Sequence, residues 1–183
     1  VIGGGGGNNM FIYTSPTVSG ATFKMAYQND GGAAAVSDSY MDFAIAYSPE
    51  AVEGLTLGYA SRDKDMGTNL DEDADTMYIK YAFGPLTVGY QHSEIDFAAT
   101  TSNDLETDAF GVSFQVNDDL SISYGESETE AETSTTDQEL EGISIAYSMG
   151  SMSIAAHANE GKNIANQTDN ESTHTEISIN FAF

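Results

Sequence analysis

The sequence predicts an all-β chain, the antiparallel wall of a transmembrane β-barrel with about eleven strands. Three observations carry this. Apolar and polar residues alternate with a period of two almost throughout; the segments so marked are joined by connections that are alternately short and long; and the chain ends on an amphipathic strand that stops at an aromatic residue. In that last stretch, 175–183, Ile177, Ile179, Phe181 and Phe183 share one face, opposite Glu176, Ser178, Asn180 and Ala182.

Composition narrows the field. The chain has 183 residues and 40% hydrophobic content, room for one large domain. There are 29 acidic residues against 5 basic ones, a formal net charge of -24, so binding to nucleic acid through a basic patch is excluded as a function class. No cysteine is present, which removes disulfide scaffolds and thiolate metal centres. Nowhere is there an apolar run long enough for a transmembrane helix, which leaves a membrane barrel open because each strand turns only half its residues to lipid. The glycine-rich start, 1–9, lacks the charged and apolar regions of a signal peptide and reads as a loop remnant of a longer chain.

In order, the alternation predicts strands at 10–15, 21–28, 40–48, 55–62, 76–83, 86–93, 109–116, 120–127, 142–149, 152–159 and 175–183. One face is apolar in each: Phe23, Met25 and Tyr27 in the second, for example, then Met41, Phe43, Ile45 and Tyr47 in the third. Seven tyrosines (Tyr27, Tyr47, Tyr59, Tyr81, Tyr90, Tyr124, Tyr147) fall on this apolar parity near strand ends, where rings with a polar tip suit a membrane interface. Short connections at 48–54, 84–85, 117–119 and 150–151 alternate with long acidic ones near 29–39, 63–75, 94–108, 128–141 and 160–172. Consecutive antiparallel strands place all the short turns at one end and all the long loops at the other, as in outer-membrane barrels. An odd strand count is unusual in such barrels, so the chain is expected to be the C-terminal portion of a larger one.

The segment Asn8-Asn9-Met10-Phe11-Ile12-Tyr13-Thr14-Ser15-Pro16, followed by Gly20-Ala21-Thr22-Phe23, resembles Gram-negative general diffusion porins of the alphaproteobacterial type. In that family such a strand follows the loop that narrows the pore, and barrels have about 16 strands, so this chain would supply the sixth to the last. The resemblance implies outer-membrane localisation, passive diffusion of small hydrophilic solutes, no cofactor, a homotrimer, and contact with lipid and lipopolysaccharide. It also implies recognition by the barrel-assembly machinery through Glu176, Ser178, Phe181 and Phe183, with serine standing where the family usually has glycine.

In a barrel, the polar parity lines the water-filled lumen. The residues expected there are Lys24, Asp42, Thr56, Arg62, Lys80, Gln91, Ser113, Ser123, Ser144, His157 and Asn180. The acidic loops are expected to favour cations. Asp71, Asp73 and Asp75 alternate as calcium ligands can, though without the glycine and terminal glutamate of an EF-hand; no metal site is assigned, and Ca²⁺ at the acidic loops stays an open alternative. The three histidines, His92, His157 and His174, lie on different strands with no nucleophile constellation, so no enzymatic activity is expected. Two other readings stay open: a non-conducting outer-membrane barrel acting as adhesin or anchor, and a soluble acidic all-β binding domain whose apolar faces pack into a core.

Overall fold

The computed structural model describes residues 10–29, 39–65, 71–98 and 104–181. These form eleven strands: β1 (Met10–Thr14), β2 (Ala21–Gln28), β3 (Ser39–Tyr47), β4 (Leu55–Asp65), β5 (Glu72–Phe83), β6 (Leu86–Phe97), β7 (Leu105–Asn117), β8 (Leu120–Ala131), β9 (Gln138–Met149), β10 (Met152–Lys162) and β11 (Ser172–Phe181). They make one sheet in strict sequence order, so every connection is a hairpin between neighbours. The chain packs as two compact units, 1–79 with 92–106, and 80–91 with 107–183. No helix among the described residues is long and apolar enough to cross a membrane, which says nothing about crossing by strands.

Within each unit the registers put like faces together. In the first, Phe23 stands opposite Ile45 and Met25 opposite Phe43, and Ile45 is in turn opposite Tyr59. In the second, one apolar row runs Ile122, Ile145, Ala156, Ile177 across β8 to β11. A slip of one residue would move every one of these side chains to the polar face, so the alternation specifies the register.

Where does the apolar face go? Among the described residues the only buried hydrophobic side chain is Ala131, whereas Phe83 is 69% and Ile177 70% exposed, with many other large apolar side chains exposed beside them. A soluble sandwich would bury these residues between two sheets. The reading as a soluble acidic binding domain is therefore corrected: among the described residues the large apolar side chains of this face are left exposed, and such a face needs an apolar solvent.

Strand ends differ from expectation in a systematic way. At the turn end of β1 to β10 they fall within one residue of where the pattern placed them, with Gly84 (φ 54°) and Gly150 (φ 58°) supplying left-handed residues in the tight turns after β5 and β9. After β7, Asn117 Oδ1 accepts from the backbone N–H of Asp119 (2.9 Å) and Leu120 (3.0 Å), closing the turn by side chain. At the loop end, β4 to β10 run on through stretches expected to be loop, so much of 63–75, 94–108 and 128–141 is strand. The acidic residues there have low strand propensity, but the backbone ladder of their neighbours carries them. The segments at 15–20 and 48–54 are as long as several of the loops, so the short-long contrast is clear only from β5 onward.

Candidate pore wall and its outer acidic belt

The polar parity of β1 to β5 carries the charged wall. Lys24 stands opposite Thr14 on one side and Ala44 on the other. Asp42 stands opposite Arg62, and its side chain is the only buried charged one among the described residues, at 2% exposed. Arg62 Nη2 also donates to Glu72 Oε1. One row toward the loop end, Lys64 lies opposite Tyr40 with Nζ 5.5 Å from the ring centroid, a cation–π contact. Tyr40, Lys64 and Glu72 share this face although they were not among the expected wall residues. Tyr40 lies at a predicted strand end and Lys64 and Glu72 beyond theirs, and extending the parity by two residues at 62 and by four at 76 would have found them. Thr56 Oγ1 is 3.1 Å from Ser48 Oγ at the turn end. Tyr78 lays its ring over Gly58, where a Cβ would overlap the ring, which accounts for glycine at that position.

The wall of β8 to β11 is nearly uncharged. A single row lines up Ser123, Ser144, His157 and Glu176. Glu176 Oε2 lies 3.4 Å from His174 Nε2, one row toward the loop end, and Asn180 stands opposite Ser153 nearer the turns. Lys80, Gln91 and Ser113 fall on the same polar parity of β5, β6 and β7. Of the terminal residues, Ser178 stands opposite Ala155 and Phe181 opposite Met152, while Phe183 lies outside the described residues.

Most of the acidic residues do not belong to this wall. Past the tyrosines at the loop end, the apolar parity of β4 to β10 turns acidic: Asp63 and Asp65; Asp73 and Asp75; Glu94 and Asp96; Glu106 and Asp108; Glu126, Glu128 and Glu130; Glu139 and Glu141; Glu160. The tyrosine hydroxyls tie the two zones together. Tyr59 donates to Asp75 and Tyr90 to Asp108, and Tyr124 donates to both Glu126 (2.8 Å) and Glu141 (3.1 Å). Burial, followed by the charges of Asp63, Asp96, Asp75 and Asp71, pushes the Asp73 carboxyl up from its ordinary value. A cleft of about 380 Å³ beside Tyr90 and Phe110 is lined by Glu126, Glu139, Glu141 and Glu160 of the same belt. The sequence alone placed all of these carboxylates but Glu126 in loops around the mouth; the structure puts them in strands, on the parity that continues the apolar face.

Comparison with known proteins decides the family. The model of Gram-negative porins matches residues 1–183, the whole chain. The chain belongs to the Gram-negative porin family. The porin is thus an outer-membrane β-barrel protein, and its apolar face is the lipid face. Among solved structures it is similar to a porin refined at 1.8 Å (13% identity, 95% of this chain and 60% of that one, TM-score 0.75). It is also similar to OmpT, an outer membrane protein of Vibrio cholerae (16% identity, 95% and 64%, TM-score 0.64), and to a mutant of the Rh. blastica porin (15%, 95% and 79%, TM-score 0.54). At these identities the likeness is one of fold. The chain spans about 60% of the length of the first of these porins. No curated protein matches it.

Proposed function

We propose that this porin chain forms the wall of a water-filled channel through which small hydrophilic solutes and ions cross the outer membrane passively, without catalysis or cofactor. The observation that carries the reading is the division of faces: an apolar face exposed to lipid and a polar face bearing Lys24, Asp42, Thr56, Arg62, Lys80, Gln91, Ser113, Ser123, Ser144, His157 and Asn180. A low-dielectric wall focuses the field of such side chains on passing ions. Liposome swelling in isotonic sugars tests it: uptake that falls with solute size is expected, and no uptake of any solute would favour the non-conducting adhesin or anchor.

Cation preference is the finer expectation. The net charge of -24 makes the loop end strongly negative, although the wall itself mixes Lys24, Arg62, Lys64 and Lys80 with Asp42, Glu72 and Glu176. Cations are therefore concentrated at the mouth, and the wall discriminates little. With the loop end taken as extracellular, the outer acidic belt lies at the level of lipopolysaccharide headgroups. Anionic lipid against a carboxylate belt requires divalent cations between them, so lipopolysaccharide contact is proposed to be cation-bridged. Assembly as a homotrimer, and recognition of Glu176, Ser178, Phe181 and Phe183 by the assembly machinery, complete the proposal.

A further inference from the structure

We propose that His92, Glu94 and Glu106 form a binding site for a divalent transition-metal ion on the outer face of the porin. All three belong to the first compact unit. His92 and Glu94 are two residues apart on β6, so the period of the strand projects both to one face, and Glu106 comes from β7. His92 Nε2 lies 3.1 Å from Glu94 Oε1 and His92 Nδ1 lies 3.8 Å from Glu106 Oε1. One ligand atom from each residue falls within 4.8 Å of the other two. Donors at about 2.0–2.2 Å around a tetrahedral ion stand roughly 3.4 Å apart, so side-chain rotations that turn one ring nitrogen of His92 toward both carboxylates and draw the donors together would bring the three onto one centre.

The donor set sets the class of ion. Two carboxylates alone would suit calcium or magnesium, but an imidazole nitrogen shifts the preference to zinc and its first-row neighbours. Half of the site is prepared and half is open: the His92 side chain is 17% exposed, against 54% for Glu94 and 51% for Glu106. An ion held there keeps positions for water or for an oxygen donor from outside the chain. It also relieves the two carboxylates from each other within the belt. A second group, Glu128, Glu130 and Asp137, is equally close-set but offers only exposed oxygens, and it is the natural background to be discriminated against.

The test is Zn²⁺ titration by calorimetry of the porin purified in detergent, at neutral pH and with excess Ca²⁺ present to occupy carboxylate-only sites. One Zn²⁺ per chain is expected. His92→Ala should abolish that event, Glu106→Gln should weaken it by about tenfold or more, and His174→Ala should leave it unchanged. His92→Gln serves in its place if the alanine variant does not fold. Cu²⁺ electron paramagnetic resonance adds a readout that acidity alone does not move: nitrogen hyperfine structure is expected in the wild type and lost without His92. Zn²⁺ heats identical in the wild type and the His92 variant, or a Cu²⁺ spectrum with oxygen donors only, would overturn the proposal.

Discussion

Glu126 of β8 stands directly opposite Glu141 of β9, two like charges facing each other across an antiparallel pair with the Tyr124 hydroxyl donating to both. The row continues, since Glu141 is also opposite Glu160 of β10. Like charges in direct opposition cost roughly 0.2–1 kcal/mol per pair. In sodium salt, Glu141→Gln should therefore raise stability by up to about 1 kcal/mol. In Mg²⁺ or Ca²⁺ at matched ionic strength the wild type should gain more than the variant. Equal responses to mono- and divalent salt in thermal unfolding would remove the cation-bridged account of the belt.

The buried carboxylate of Asp42 depends on Arg62. Their side chains face each other in register, and Asp42 Oδ1 and Arg62 Nε are both buried without a hydrogen-bond partner, so the attraction is Coulombic rather than a closed hydrogen bond. Arg62→Ala leaves an uncompensated buried charge and should cost about 3 kcal/mol, whereas Asp42→Asn should cost less than about 1 kcal/mol. Urea unfolding of refolded protein in lipid checks the ranking, and a reversed order would show that Glu72, not Asp42, is the partner that matters.

Adjacent residues distinguish the two faces. Ile145 lies in the apolar row and Ser144 in the polar one. Ile145→Lys should destabilise the membrane-embedded fold by about 2–4 kcal/mol if it lies near the bilayer midplane. Ser144→Lys should cost much less and shift ion selectivity toward anions. Similar destabilisation by the two substitutions would contradict the assignment of faces.

Acidification should relieve the loop-end cluster. The Asp73 carboxyl is raised above its unfolded value, so the folded porin binds this proton more tightly than the unfolded chain does. Its contribution to stability is present below the ordinary carboxylate range and is lost as pH rises through the raised value. Asp73→Asn should therefore stabilise slightly at neutral pH, by about 0.5 kcal/mol or less at this exposed site, and have no effect in acid. Equal effects at both pH values would argue against repulsion from Asp63, Asp71, Asp75 and Asp96.

Strand number, order and facing were legible in the sequence because a period of two leaves no freedom once one face must meet lipid. Ala21–Gln28, for instance, has the predicted bounds. Strand length at the loop end was not legible: acidic residues such as Glu128 and Glu130 read as loop by propensity, though their even spacing continues the parity of Leu120, Ile122 and Tyr124. The polar parity of each strand was visible in the sequence, but the cross-strand partners of its residues were not. The pairing of Asp42 with Arg62 depends on register, which the conformation of the 48–54 turn fixes together with the faces. The terminal aromatic at Phe183 and the glycine-rich 1–9 lie outside the described residues.

Single-channel recording of the porin in a planar bilayer tests the central claim most directly. A water-filled pore predicts ohmic steps whose conductance rises in proportion to bulk salt conductivity, with a reversal potential in a KCl gradient that favours potassium. Absence of steps from correctly folded protein would contradict the channel, and a reversal potential favouring chloride would contradict the cation-concentrating mouth.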